Sequence, residues 1–304
     1  MRIQYFQTAW NDIKNSQGWF GKLCLLALIG LIPIFGQIVI LGYLYGWARE
    51  ISWGVHEPLP ASIFGNEDGK LYRRGWFILL VTFVFSLIPG IIMGIGSSMQ
   101  QIGIYTALSD GTSASATASS VIGSIVYLIG IAAIILASIL AWIGSMRVSI
   151  YDRLSTGFQL GKIWKMFRHD TGGIMRIFGM NLLVSFILGI FLSILFTILF
   201  MMVIFAGTAG LASAGYTPES LQYVSDAEAT QIAMQFLTSA GFVGIICLTL
   251  AMFVGNVVTV YVEMLVARAL GYWTWQFDVP QWRGKDDPMP FELSTSAPPA
   301  QPVQ

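Results

Sequence analysis

Apolar residues occur in five long blocks along this chain of 304 residues, and polar segments separate the blocks. The blocks cover residues 23–47, 76–96, 121–146, 177–206 and 240–262. A helix needs about 20 mostly apolar residues to cross the hydrocarbon core of a bilayer, and each block reaches that length. The pattern therefore predicts an all-α fold, a polytopic helical membrane bundle.

The first block, residues 23–47, differs from the others because Pro33 and Gly36 interrupt it. Proline lacks a backbone donor and glycine permits a tight turn, so the block either crosses as a kinked fifth span or dips in and returns. We favour a re-entrant hairpin, because five full spans would separate the basic amino-terminal arm from the other basic segments. The expected fold is four spans plus this hairpin, with a fifth span as the alternative.

Basic residues are distributed unevenly between the blocks. The segments Ser97–Ser120 and Gly207–Gln235 contain none of the sixteen Lys and Arg residues. Because basic residues tend to stay on the cytosolic side, we expect a multi-pass protein of the plasma membrane with a cytosolic carboxy terminus. Ser97–Ser120 is rich in Ser, Ala and Thr, and we expect it to be an exposed, loosely ordered loop.

Two short segments, about residues 3–17 and 156–170, each precede an apolar block. Phe6 and Trp10 in the first match Leu160 and Trp164 in the second at the same spacing, which suggests a weak internal repeat. We expect both to be amphipathic interfacial helices on the basic side. Chance similarity is the alternative for so few matches.

The chain divides into two parts by composition. Residues 1–275 contain every apolar block and are predicted to form a single integral membrane domain. Residues 276–304 are polar and rich in proline, so we expect a disordered cytosolic tail.

The composition excludes several classes of protein. The mean hydropathy is +0.70 and only 11% of residues are charged, against about 25% in soluble domains. The net charge of +0 says little, because the distribution of charge matters and the total does not. The chain has no strongly basic face for nucleic acid. Cys24 and Cys247 both lie in apolar blocks, where we expect small buried side chains rather than a disulfide or a metal site.

Residues typical of catalysis are sparse. The two histidines, His56 and His169, lie far apart in polar segments. The sequence has no His-Glu-x-x-His, Gly-x-Ser-x-Gly or P-loop pattern. We therefore expect no enzymatic activity and no cofactor.

Small residues recur at four-residue spacing in two blocks, at Gly90 and Gly94 and at Ala133, Ala137, Ala141 and Ser145. Such spacing lets helix backbones approach closely in lipid. We expect these residues to pack helices within one bundle, with homodimerisation as the alternative.

Few polar side chains interrupt the apolar blocks. Glu263 is an ionisable residue at the edge of the last block, and such residues are candidates for function. It either pairs with Arg268 or another interfacial arginine at headgroup level, or forms a small polar site. The candidate intramembrane site comprises Gln37, Asn256, Glu263 and Arg268.

Eight basic residues border the apolar blocks on the predicted cytosolic side. Each such residue attracts an anionic headgroup by about 1 kcal/mol. The alternative is simple anchoring charge. The candidate collar for anionic lipid consists of Arg49, Arg73, Arg74, Arg147, Arg153, Lys162, Lys165 and Arg168.

The first third of the chain contains a distinctive series of motifs: Ile32–Gly36, Gly42-Tyr43, Arg49, Leu59-Pro60 and Gly75. This series resembles a widespread prokaryotic family of polytopic membrane proteins with a domain of unknown function. It is similar, more distantly, to the membrane domain fused to some glycerophosphodiester phosphodiesterases. The family's short Trp-containing segment has no counterpart in Ala61–Leu71, and no phosphodiesterase activity carries over.

Two functions remain open from the sequence. The leading hypothesis is a non-enzymatic membrane protein that organises lipid or a protein partner at the cytosolic face, alone or as a homodimer. The competing hypothesis is a transporter or channel for a small solute or ion with a polar site near Glu263.

Overall fold

The computed structural model describes residues 4–64, 69–110, 114–216 and 226–277. Within these ranges the chain is helical and contains no strand, which confirms the all-α prediction. A short 3₁₀ helix, Leu154–Phe158, precedes α6. The α-helices are α1 Tyr5–Asn15, α2 Trp19–Gly30, α3 Phe35–Ser52, α4 Leu71–Asp110, α5 Ala114–Tyr151, α6 Leu160–His169, α7 Thr171–Ser213 and α8 Asp226–Trp275.

Four of these helices, α4, α5, α7 and α8, are long and apolar enough to cross a membrane. Their lengths and compositions mark the chain as a multi-pass helical membrane protein. α4 and α7 begin with basic residues, whereas α5 and α8 carry theirs near the end. The helices alternate in direction, so their basic ends lie together.

The long helices extend beyond the apolar blocks at both ends. Residues 97–110 continue α4 and residues 114–120 begin α5, so the prediction of a loosely ordered loop at Ser97–Ser120 was wrong. The physical reason is close packing: a Cβ added at Gly96 or Gly123 would meet the opposing helix backbone. Residues without side chains let the two helices stay in contact as a hairpin.

The first block is two helices rather than one. α2 ends at Gly30, α3 begins at Phe35, and Ile34 between them has a positive φ of 63°. The Oγ atom of Ser16, before α2, accepts a hydrogen bond of 2.9 Å from the backbone N–H of Leu59, after α3. Both ends of this helical pair therefore lie at the same end of the molecule.

The packed core lies at the basic end of the long helices. It contains Trp47 and Trp273, both without exposed surface, together with residues of all eight α-helices. Farther from this end, α4 packs on α5 and α7 on α8, while α5 and α8 share only a short contact. The described structure is thus two helical hairpins joined at a common base.

The closest approach between helices in this base involves α3 and α4. A Cβ added at Gly42 would clash with the carbonyl oxygen of Leu71, and one at Gly75 with that of Ile38. The pair that the sequence suggested for packing, Gly90 and Gly94, faces open space in the described structure. The prediction that this pair packs helices within the bundle was therefore wrong, because the pair lies on the outward face of α4; the alternative, homodimerisation, stays a prediction.

The contrast between two glycines of α4 yields a prediction. Gly75→Ala should lower the free energy of unfolding by roughly 1–3 kcal/mol, because the added methyl group meets backbone that cannot rotate away. Gly90→Ala is the matched control and should be neutral or stabilising by up to about 1 kcal/mol. Thermal unfolding in detergent measures both; equal midpoints would contradict the proposed contact.

Candidate functional site

Arg268 of α8 joins three separate parts of the chain at the basic end. Its Nε atom lies 2.7 Å from Oδ2 of Asp12, while its terminal nitrogens donate to the carbonyl oxygens of Trp47 and Glu57. The guanidinium carbon also lies 4.1 Å from the centre of the Trp47 ring. With 1% of its surface exposed, Arg268 fixes α1, α3 and the following loop to α8.

This geometry decides between the two readings of Arg268. Its acidic partner is Asp12, not Glu263, because α1 folds back onto the end of α8 and brings its carboxylate there. Tyr272, one turn after Arg268, donates its hydroxyl to the same Asp12 oxygen at 2.7 Å. Arg268 therefore belongs to the packed base and is separate from any polar site at Glu263.

Arg74 and Arg147 are also almost completely buried. Arg74 donates to the carbonyl oxygen of Gly42 at 3.0 Å, which bridges α4 to α3. Arg147 donates to the Thr156 carbonyl and to Oε1 of Gln159, so it fixes the segment that precedes α6. Backbone carbonyls supply the acceptors that a buried guanidinium needs.

The predicted lipid collar is consequently divided by burial. Neighbouring helices cover Arg49, Arg74 and Arg147, which lie in the interior. The prediction that these three arginines belong to a lipid-facing collar is therefore corrected, and they stabilise the base instead. Arg73 forms an ion pair with the carboxylate of Asp152. Lys70 forms a second ion pair with the same carboxylate, at 2.7 Å. The others retain at least partly exposed surface, namely Arg153, Lys162, Lys165 and Arg168.

The segment after α3 is attached to the base through its backbone. Trp47 donates its indole N–H to the Glu57 carbonyl. Lys22 donates to the carbonyl of Leu59, and the Tyr43 hydroxyl donates to that of Pro60 at 2.8 Å. The Leu-Pro pair therefore serves to hold this segment against α2 and α3.

Asp170 organises the start of α7 and the end of α8. Its side chain caps α7 by accepting from the N–H of Gly173 at 2.9 Å. It also accepts from Gln276 at 2.6 Å, and Phe277 packs on the Trp273 ring at 4.6 Å. The first two residues of the predicted tail are thus ordered; the prediction of disorder for 278–304 lies outside the described residues.

An apolar groove of about 500 Å³ runs along one face of α7. Its α7 residues recur every three or four positions, which places them on consecutive turns. Phe6 of α1 and Tyr261 of α8 form the walls, and the exposed side chain of Arg176 stands at the basic end. The α7 residues of the groove are Arg176, Gly179, Met180, Leu183, Val184, Ile187 and Leu188.

A second, smaller cavity of about 180 Å³ lies where the two long hairpins meet, and it contains Glu263. Neither Gln37 nor Asn256 lines this cavity. Asn256 instead lies near Gly30 of α2. The predicted polar site is therefore split. The polar side chains around Glu263 come from five helices: Tyr45, Thr82, Ser138, Asn181 and Glu263 itself.

A family model described as "protein of unknown function (DUF4013)" matches residues 25–197, more than half of the chain. The chain belongs to this family. The DUF4013 match covers α3 to α6 completely and includes Arg74 and Arg147, whereas Arg268 lies beyond it. No curated protein matches the chain, and no solved structure matches it.

Sequence reasoning missed the acidic partners of the basic end. Asp12, Asp152 and Asp170 were not singled out, although a chain with so few charges offers little else to neutralise buried arginines. Arg176 was not singled out as a site residue either. A signal was present, because each of these residues lies in a polar segment that borders an apolar block.

The Arg268 contacts predict an order of stability. Arg268→Gln removes the ion pair, and the shorter glutamine side chain no longer reaches the two carbonyl oxygens. We therefore expect the free energy of unfolding to fall by roughly 3 kcal/mol. Asp12→Asn should cost about 1 kcal/mol, because Arg268 keeps its two backbone acceptors. Chemical or thermal unfolding in detergent ranks the variants.

Arg168→Gln is the matched control, since this arginine is exposed on α6. It should change stability by less than about 0.5 kcal/mol. A larger loss for Asp12→Asn than for Arg268→Gln would refute the assignment of the carbonyl contacts.

Proposed function

We propose that this protein binds an anionic phospholipid in the groove along α7 and so organises lipid at the cytosolic face of a prokaryotic plasma membrane, without enzymatic activity. The observation that carries the proposal is the pairing of an apolar groove with one exposed arginine at its basic end. This pairing matches a molecule with an acyl chain and a charged headgroup.

The dimensions of the groove support an acyl chain as occupant. Arg176 and Leu188 are twelve residues apart on α7, which corresponds to about 18 Å of helix. Half of a hydrocarbon core measures about 15 Å. The groove is therefore long enough to hold one chain through its own leaflet, with Arg176 at headgroup level.

The chemistry at the basic end supports a phosphate. Arginine presents a planar set of donors that matches phosphate oxygens. Burial, reinforced by the nearby Asp170 carboxylate, raises the pKa of Tyr5 to about 12, and Arg176 also interacts with this side chain. The Tyr5 hydroxyl stays neutral at physiological pH and can act as a donor beside the arginine.

The same proposal assigns an orientation. Basic ends of all four long helices lie together, so this end faces the cytosol by the positive-inside rule. α2 and α3 then form a re-entrant hairpin that enters and leaves on the cytosolic side. α1 buries Tyr5, Ala9 and Ile13 on one face, and we infer that α1 and α6 lie in the interface.

Lipid binding is predicted to depend on Arg176. Arg176→Gln should weaken binding of phosphatidylglycerol by roughly tenfold or more, because a charge-assisted hydrogen bond contributes about 1.5–3 kcal/mol. Native mass spectrometry of the full chain, titrated with phosphatidylglycerol and phosphatidylcholine, measures the loss. Arg168→Gln keeps the groove intact and should bind like the native chain.

The apolar part of the groove has its own pair of variants. Ile187→Trp places a large side chain in the groove and should reduce retention of both lipids, whereas Ile190→Trp, on the same helix outside the lining, should not. Unchanged lipid binding in both Arg176→Gln and Ile187→Trp would contradict the proposal. Because the proposal assigns the lipid site to this chain alone, lipid binding that requires an added protein would contradict it as well.

The orientation predicts which residues a membrane-impermeant thiol reagent reaches in intact cells. In a chain without its two native cysteines, Lys14→Cys and Lys165→Cys should be labelled only after the membrane is opened. Ser213→Cys, at the basic-free end of α7, should be labelled from outside. Labelling of Lys14→Cys in intact cells would rule out the re-entrant hairpin.

A further inference from the structure

We propose that the cavity around Glu263 is a binding site for an ammonium-type cation, distinct from the lipid groove and independent of it. The cavity lies at the junction of the two long hairpins, where α3 closes its base. In this cavity a carboxylate, an amide and several hydroxyl groups from different helices face one space.

The carboxylate lacks the partners that a charge needs in the interior. The Oε2 atom of Glu263 is buried and has no hydrogen-bond partner among the described residues. Arg268, five positions later on α8, is bound to Asp12 and to carbonyl groups instead. An unpaired buried carboxylate is unfavourable, and a bound cation would relieve it.

The walls of the cavity favour an organic cation over a bare metal ion. Tyr45 and Trp142 contribute aromatic rings, and an ammonium group is attracted to ring faces. Leu41, Val262 and Val266 add apolar surface, which suits the methyl groups of an organic cation better than a bare metal ion. A volume of about 180 Å³ exceeds that of a single water, so methyl groups on the nitrogen fit.

The neighbouring polar groups complete the site without adding positive charge. Tyr45 interacts electrostatically with Glu263, and Asn181 offers an amide oxygen from α7. Thr82 and Ser138 offer hydroxyl oxygens from α4 and α5. No lysine, arginine or histidine lines the cavity in the described part of the chain, so nothing there competes with an incoming cation.

The position of the site bears on the competing transport hypothesis. Five helices line the cavity, two from each long hairpin and α3, so a ligand bound there touches both hairpins at once. Cation binding would therefore stabilise one arrangement of the two hairpins. Binding by itself is the inference; it holds whether or not the lipid groove binds phospholipid.

The test is ligand-dependent thermal stability of the purified full chain. Methylammonium and tetramethylammonium chloride should raise the unfolding midpoint in a saturable way, because a ligand that binds only the folded state stabilises it. Sodium chloride at equal ionic strength is the control. A short-chain phosphatidylethanolamine, compared with phosphatidylglycerol of the same length, shows whether the ammonium group of a lipid also binds.

Variants then locate the effect. Glu263→Gln preserves the side-chain shape and should weaken tetramethylammonium binding by roughly tenfold or more, since it removes the charge. Glu57→Gln is the matched control, because that side chain is exposed and only its backbone carbonyl makes contacts. Ser138→Leu, which fills the cavity and keeps Glu263, should also weaken binding.

The wild-type titration alone can overturn the inference. No saturable shift with either ammonium ion, or an equal shift with sodium chloride, would refute a cation site of this class. A tetramethylammonium shift that persists in Glu263→Gln would refute its location. Lipid binding in the Arg176→Gln experiment is a separate measurement, so the failure of either proposal leaves the other distinguishable.

Discussion

Burial of guanidinium groups at one end of the molecule is the constraint on which the rest of the structure depends. Arg74, Arg147 and Arg268 each have 1% of their surface exposed, and each charge must find acceptors inside the protein. Carbonyl groups within α3 and in the connecting segments supply them. The short helices and loops are therefore held in place by basic side chains that gather at this end of the long helices.

A base organised in this way leaves the long helices free to separate. Each hairpin is packed along its own length, and contact between the hairpins includes a short stretch of α5 and α8 and the ring pair of Trp142 on α5 and Phe178 on α7. Faces of the long helices that another helix would cover in a compact bundle therefore remain exposed. The apolar groove follows one such face of α7, and the Glu263 cavity lies where the hairpins diverge.

Much of the fold could be predicted, because membrane insertion depends on local hydrophobicity. The four long helices fell at the predicted blocks. The ends of these helices were not predicted. Residues 97–110 remain helical because glycines on α4 and α5 allow the two backbones to come into contact. Such contact depends on which helices are neighbours in the folded protein. The candidate site was predicted less well. Glu263 lines a cavity, but Asn256 lies beside Gly30 and Arg268 binds Asp12.

The sequence by itself determined the class of protein, the positions of the four long apolar helices and the end at which their basic residues gather, since hydrophobicity and charge act segment by segment. Only the tertiary structure decided which arginines are buried and which are exposed. Lys165 and Arg147 are both basic residues in segments near apolar blocks, and the sequence does not distinguish them. In the structure Lys165 is exposed on α6, whereas neighbouring helices cover Arg147. Burial arises from contacts between distant segments, and no local pattern encodes it.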